Sequence, residues 1–192
     1  MKQLFTLILC LFLALPGFAS AENETIGPML DLGDFTMVVS ADTWYEVFSE
    51  RQEGKPVAVL YPGYDPARLD TPSITVIWSS VNTVTMLQEE LGMDMDAYAD
   101  TMLTYLTGNF SQYGYQIIRA EVTDCSFVGS DGYFSLLIIV QNGTSYVLPE
   151  EFHISFHYRW FEGSGEYLFH LMAPSSEDLA TLTACIDTVQ PK

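Results

Sequence analysis

The stretch from Phe152 to Met172 limits the fold of this chain more than any other. Between Phe152 and Trp160, apolar residues alternate with polar ones, and this period of two places them on opposite faces of a β-strand. Glu162–Gly165 supplies the permissive backbone of a tight reversal, and the alternation then resumes over Tyr167–Leu171. The pattern predicts a β-hairpin with one heavily apolar face, which other elements must cover.

A two-residue loop at Gly163-Ser164 would set the register of this hairpin. In that register the cross-strand pairs are Trp160 with Tyr167, Tyr158 with Phe169, and His157 with His170.

The same register collects polar side chains into one candidate binding face. Its members are His153, His157, Arg159 and His170. Two imidazoles at cross-strand separation could hold Zn²⁺ with a carboxylate as the third ligand. The preferred alternative is a polar strand face without a metal, because the helical H-E-x-x-H signature is absent. We therefore assign no metal and no cofactor.

The sequence contains no arrangement typical of a catalytic centre. Neighbouring carboxylates are common in so acidic a chain and carry little information about acid-base chemistry. Gly163-Ser164-Gly165 lacks the G-x-S-x-G spacing of a nucleophile elbow, and no glycine-rich phosphate loop occurs. We expect a protein that is not an enzyme.

The first 21 residues have the pattern of a signal peptide. Lys2 is followed by an apolar run from Leu4 to Leu15, and Ala19-Ser20-Ala21 is a small-x-small cleavage site. The run is too short to be a membrane span. We therefore expect export to the periplasm or the medium, with the mature chain beginning at Glu22.

The net charge of −18 narrows the class of partner. Nucleic acids and anionic lipids are recognised through Lys and Arg, of which the chain has only seven. Acidity also serves solubility without any partner. If a partner exists, the composition favours another protein.

Two cysteines follow the predicted signal peptide, Cys125 and Cys185. In an oxidising compartment they could form one disulfide, and two separate buried thiols are the alternative.

The rest of the chain is organised as one domain over residues 34–192, after a flexible lead-in at 22–33. Alternating and β-branched runs predict strands, and Tyr45–Phe48 is expected to pair back on the first of them. A period of three to four residues after Asp94, and again after the capping box Ser175–Asp178, predicts two helices. The predicted strands before the hairpin are Phe35–Val39, Tyr45–Phe48, Val57–Tyr61, Ser73–Trp78, Tyr115–Val122 and Phe134–Val140.

This order of elements resembles the PsbP-like fold family. The resemblance rests on the early hairpin with Trp44, the long helix after Asp94, the strand Y-L-F-H-L-M-A-P at Tyr167–Pro174 and the S-x-x-D start of the last helix, and it covers about residues 33–190. It implies an α+β fold, an antiparallel sheet flanked by helices in an α/β/α sandwich. The family includes an extrinsic subunit of photosystem II, a nuclear Ran-binding protein and many bacterial envelope proteins.

The resemblance implies a noncatalytic exported domain. The acidic composition and the lack of a catalytic arrangement favour binding to another protein. The alternative is a small-molecule binder or a metal-dependent hydrolase that uses the strand face of His157 and His170.

Overall fold

A computed structural model describes residues 29–65, 70–112, 115–141 and 151–192 of the chain. The predicted signal peptide and the first part of the predicted lead-in lie outside these residues. Among the described residues, no helix is both long enough and apolar enough to cross a membrane.

Strands and helices follow one another along the described ranges in the order below. The strands are β1 (Met29–Asp31), β2 (Phe35–Val38), β3 (Trp44–Val47), β4 (Lys55–Tyr61), β5 (Ser73–Ser79), β6 (Gln116–Val128), β7 (Asp131–Gln141), β8 (Glu151–Phe161), β9 (Gly165–Ala173) and β10 (Gln190–Pro191). The helices are α1, an α-helical turn at Thr83–Thr85 that continues as a π-helix over Met86–Glu90, α2 (Met95–Gln112) and α3 (Ser176–Asp187).

The fold is α+β, an antiparallel sheet flanked by helices. Seven strands form the large sheet in the order β3-β4-β5-β9-β8-β7-β6, and a small sheet has the order β1-β2-β10. The predicted hairpin partner of β2 is wrong, because β3 pairs with β4. β2 instead joins the small sheet, where its alternate residues Phe35 and Met37 are fully buried against a face of the large one.

Each face of the large sheet carries its own apolar core. We call the side covered by α1 and α2 the helix face and the side covered by the small sheet and α3 the small-sheet face. The helix face buries Ile77, Val84, Leu87, Tyr98, Met102, Leu106, Phe134, Leu136, Ile138, Val140, Phe152, Ile154, Phe156, Tyr158 and Leu168. The small-sheet face buries Leu30, Phe35, Met37, Val39, Val57, Ala58, Leu60, Ile74, Val76, Tyr167, Phe169, Leu171, Ala173, Leu182, Cys185 and Ile186.

The helices start where their capping residues predict. Asp94 accepts a hydrogen bond from the Ala97 N–H at 2.8 Å, and Ser175 accepts one from the Asp178 N–H at 3.1 Å. Part of the predicted flexible lead-in is ordered, because Leu30 of β1 is buried in the small-sheet core.

The β8–β9 hairpin is present, but its predicted two-residue loop is wrong. Three residues, Glu162–Ser164, join the strands, and Phe161 pairs with Gly165. Gly165 has φ +105°, and a Cβ there would lie 2.6 Å from the carbonyl oxygen of Ser79. This close approach to β5 fixes the start of β9. The register therefore differs by one residue from the predicted one, which moves side chains to the other face of the sheet.

Candidate functional site

The predicted histidine face does not form as one surface. His157 pairs with Phe169, whereas His170 pairs with Phe156. Paired residues share a face and neighbours along a strand do not, so His157 and His170 point to opposite sides of the sheet. His153, His157 and Arg159 remain on the small-sheet face. The two imidazoles therefore cannot form the zinc pair that was the less favoured alternative.

His157 and His170 are each integrated into a core. His157 stacks on Tyr133, with ring centroids 5.3 Å apart, and hydrogen-bonds to the Ser155 hydroxyl at 2.9 Å. His170 stacks on Phe156 at 4.8 Å. Burial lowers the pKa of both imidazoles to about 4, so both are neutral at pH 7.

The other two members of the predicted face contact neighbouring carboxylates. Arg159 lies 3.5 Å from Asp131, and His153 contacts Glu151. No group of three His, Cys, Asp or Glu side chains within the described part of the chain could hold a metal ion.

Of the two alternatives for the cysteines, the structure has the separate thiols and not the disulfide. Cys125 on β6 packs beside the helix-face core, whereas Cys185 on α3 lies in the small-sheet core. The large sheet separates them. Burial raises the pKa of both thiols, which makes them weaker nucleophiles.

The surface best suited to binding lies at one end of the large sheet. β3 is its outermost strand there, and Trp44, Tyr61 and Tyr64 form an aromatic cluster beside it. The centroid of the Trp44 ring lies 5.3 Å from that of the Tyr61 ring and 6.0 Å from that of the Tyr64 ring. The exposed apolar residues Phe48, on the same face of the strand as Trp44, and Val47, on the other face, lie at the same sheet edge. We call these five residues the aromatic edge.

The aromatic edge is accessible to a partner. Tyr64 is 37% exposed, Phe48 38% and Val47 47%. Aromatic rings that are partly exposed offer large contact areas with little loss of side-chain entropy, and they are enriched at protein interfaces.

Two turns bring the three aromatic rings together. Before β3, the Thr43 N–H donates to the Ser40 carbonyl at 3.1 Å, and the two hydroxyl groups lie 2.9 Å apart. This turn delivers Trp44 to a position opposite Tyr61. After β4, Gly63 has φ +66°, a conformation that suits glycine, and the chain returns Tyr64 to the cluster.

The electrostatic character of the aromatic edge is acidic. Residues 42–50 include Asp42, Glu46 and Glu50 and contain no Lys or Arg. Burial, and then the charge of Glu46, raise the pKa of the Tyr61 hydroxyl. The next cation, Arg51, forms an ion pair with Asp34 at 2.6 Å.

A small open cleft of about 230 Å³ lies beside this surface. Asp42 and Gly63 line one side of it, and Asp178 of α3 lies on the other. The cleft lies next to the two turns, and its polar lining residues lead from the aromatic edge toward α3.

Sequence reasoning missed the aromatic edge as a site. It named Trp44 only within the early hairpin, and it ended the predicted strand Val57–Tyr61 at the stop formed by Pro62-Gly63. The available signal was the return of two tyrosines around that stop, together with apolar Val47 and Phe48 in a short strand. That β3 is an outer strand depends on the strand order, which the local pattern does not contain.

Comparison with known proteins finds structural likeness without detectable sequence likeness. No protein-family model matches the chain, and no curated protein matches it. The structure is similar to the solution structure of the cyanobacterial PsbP of Synechocystis sp. PCC 6803, with 12% identity and a TM-score of 0.49 over 92% of this chain and all of that one. It is also similar to the Saccharomyces cerevisiae Ran-binding protein Mog1p, with 8% identity and a TM-score of 0.44 over 88% of this chain and 96% of that one. Both likenesses are of overall fold alone, at TM-scores below 0.5.

Proposed function

We propose that this protein is a noncatalytic domain that binds another protein through its aromatic edge, in the periplasm or outside the cell. The observation that carries the proposal is the cluster of Trp44, Tyr61 and Tyr64 beside an outermost strand. The exposed residues Phe48 and Val47 add apolar surface on the two faces of the same sheet edge, and exposed apolar patches mark interaction sites.

Two sets of buried polar groups elsewhere serve the fold itself, whereas the Asn109 Nδ2 and His170 Nε2 atoms are buried without a hydrogen-bond partner among the described residues. The Tyr98 and Tyr158 hydroxyls bond to each other at 2.7 Å and join α2 to β8. The Glu166 carboxylate accepts hydrogen bonds from the Thr83 N–H at 2.7 Å and the Thr83 hydroxyl at 2.6 Å, which fixes the start of α1. These groups hold elements together.

The site is tested by substitution at the exposed tyrosine of the aromatic cluster, Tyr64. Tyr64→Ser should abolish capture of the native partner by in-cell crosslinking while leaving the thermal unfolding midpoint nearly unchanged, because Tyr64 contributes little to the core. Trp44→Ser is a second variant, and folding is confirmed for each by circular dichroism.

A matched control removes an exposed apolar residue at the opposite end of the sheet. Ile118→Ser on β6 changes a side chain that is 60% exposed and should leave capture of the partner unchanged. If Tyr64→Ser captures the same partner as the wild type, or if Ile118→Ser is the variant that loses it, the proposed site is wrong.

Export is tested separately by the mass of the natural protein. We expect the protein in the periplasmic or secreted fraction, with Glu22 as its first residue. Recovery of the uncleaved chain from the cytoplasm alone would contradict this part of the proposal.

A further inference from the structure

We propose that the partner is bound by β-strand addition to β3, and that the added segment alternates Lys or Arg with apolar residues. This inference rests on the proposed function and specifies how the partner is held and what its chemistry is.

The backbone of β3 offers hydrogen-bonding groups on its outer side. The Phe48 N–H donates to the Val57 carbonyl of β4 at 2.9 Å, so Phe48 faces inward. In an antiparallel pair, alternate residues bond to the same neighbour. The N–H and C=O groups of Tyr45 and Val47 therefore point away from β4, and no described strand lies on that side. An added strand can pair with these groups.

The strand at the opposite edge of the large sheet, β6, is protected from pairing with an added strand, whereas β3 is not. β6 is interrupted by two register shifts, one between Ile117 and Arg119 and one between Val122 and Asp124. It also carries the ion pair of Arg119 with Glu121. Bulges and charges of this kind prevent edge-to-edge pairing. β3 contains neither a bulge nor a Lys or Pro, and its pairing with β4 is regular over all four residues.

The two faces of β3 specify the alternation in the partner. Trp44 and Glu46 lie on one face, and Tyr45 and Val47 lie on the other. A Lys or Arg beside Glu46 would form a cross-strand ion pair and could also lie over the ring of Trp44. Apolar residues of the partner would then lie beside Tyr45 and Val47.

Charge favours a basic segment over a second copy of this chain. Asp42, Glu46 and Glu50 all lie within or next to β3. A second copy would bring the same carboxylates together, and each chain has a net charge of −18. Like charges opposite each other are destabilising, whereas a basic segment is attracted at low ionic strength.

The test uses a synthetic peptide as the probe and the purified protein. A peptide of about nine residues that alternates valine and lysine is long enough to cover a strand of this size. It should bind measurably in titration calorimetry at low salt. The peptide that alternates valine and glutamate should not bind. N-methylation of the three central residues should abolish binding, because it removes the N–H groups that an added strand must donate.

Substitution of Val47 isolates the backbone contribution. Val47→Pro removes an outward N–H and leaves the β3–β4 hydrogen bonds intact, a position where edge strands tolerate proline. It should weaken peptide binding by about tenfold, the effect of one lost hydrogen bond. The comparison variant Val47→Thr changes the side chain and keeps the backbone donor, so it should bind the peptide more tightly than Val47→Pro does. Glu46→Lys should reverse the preference between the two peptides.

The outcomes separate this inference from the proposed function. Equal binding of the N-methylated and unmodified peptides, unchanged binding by Val47→Pro, or dimerisation through β3 in sedimentation would overturn strand addition. Loss of the native partner in Tyr64→Ser together with its retention in Val47→Pro would leave the aromatic edge as the site and reject the strand mode. Retention in both would reject the proposed site itself.

Discussion

Glu166 gives the sharpest prediction about the stability of this fold. Its carboxyl group on β9 is only 1% exposed and lies against the first residue of α1, Thr83. Burial raises its pKa from 4.5 to about 7, although the hydrogen bonds from Thr83 oppose that shift. The nearby carboxylates of Glu53 and Asp131 raise the pKa further. Replacing Glu166 with Gln keeps the shape of the side chain and removes the charge.

The magnitude and sign follow from the two pKa values. The native state binds the proton more tightly than the unfolded chain, so Glu166 stabilises the fold most fully below pH 4.5, and this stabilisation is lost as the pH rises through about 7. The difference between these values corresponds to about 3 kcal/mol of free energy of unfolding. The wild type loses this stabilisation as the pH rises and Glu166→Gln does not. The free energy of unfolding of the variant minus that of the wild type should therefore increase by about 3 kcal/mol between pH 4.5 and pH 8.

The assay is urea unfolding of both proteins at fixed ionic strength across that pH range. Comparing the two proteins at each pH cancels the titration of all other groups. Glu162→Gln removes the same charge from the exposed hairpin loop and serves as the control. A constant difference in stability between Glu166→Gln and wild type across the range would refute the reasoning.

Three further predictions concern packing and buried polar groups. Tyr98→Phe or Tyr158→Phe alone should lower the free energy of unfolding by about 1–2 kcal/mol, because one hydroxyl is left without its partner. The double variant should lose less than the sum of the two single losses, and additive losses in the double-mutant cycle would show that the two hydroxyls do not interact. His170→Phe should resist acid better than wild type, because neutral His170 contributes stability above pH 6.5 that is lost as the pH falls through about 4; parallel acid-unfolding curves would show that His170 does not titrate on unfolding. Gly165→Ala should destabilise more than Gly163→Ala, since both glycines have positive φ and only at Gly165 would a Cβ meet the backbone of β5; equal midpoints in thermal unfolding would refute this.

The strands and helices of this fold follow from local patterns, because burial on one face leaves a period in the sequence. Alternation predicted β8 and β9, and the capping residues Asp94 and Ser175 predicted where α2 and α3 begin. These features depend on residues close together in the chain.

The register of the hairpin needed information from a distant strand. Gly163-Ser164-Gly165 permits both a two-residue and a three-residue loop. The choice is made by β5, where the Trp78 indole N–H donates to the Ser164 carbonyl at 2.8 Å and the backbone of Ser79 excludes a Cβ at Gly165. The histidine face was predicted from the wrong register, so these two contacts with β5 decide where His170 points.

The aromatic edge and the cysteine positions also depend on contacts between strands that are distant in the sequence. Whether β3 is an outer or an inner strand, and whether Cys125 and Cys185 share a face, depends on the order in which distant strands pair. Neither can be read from periodicity alone.

Amide hydrogen exchange of the protein, alone and with its captured partner, tests the central claim most directly. Strand addition at the aromatic edge predicts that the amides of Tyr45 and Val47, which point away from β4, exchange at least about tenfold more slowly in the complex. Protection confined to another surface, such as β6, with unchanged exchange at Tyr45 and Val47, would contradict the account.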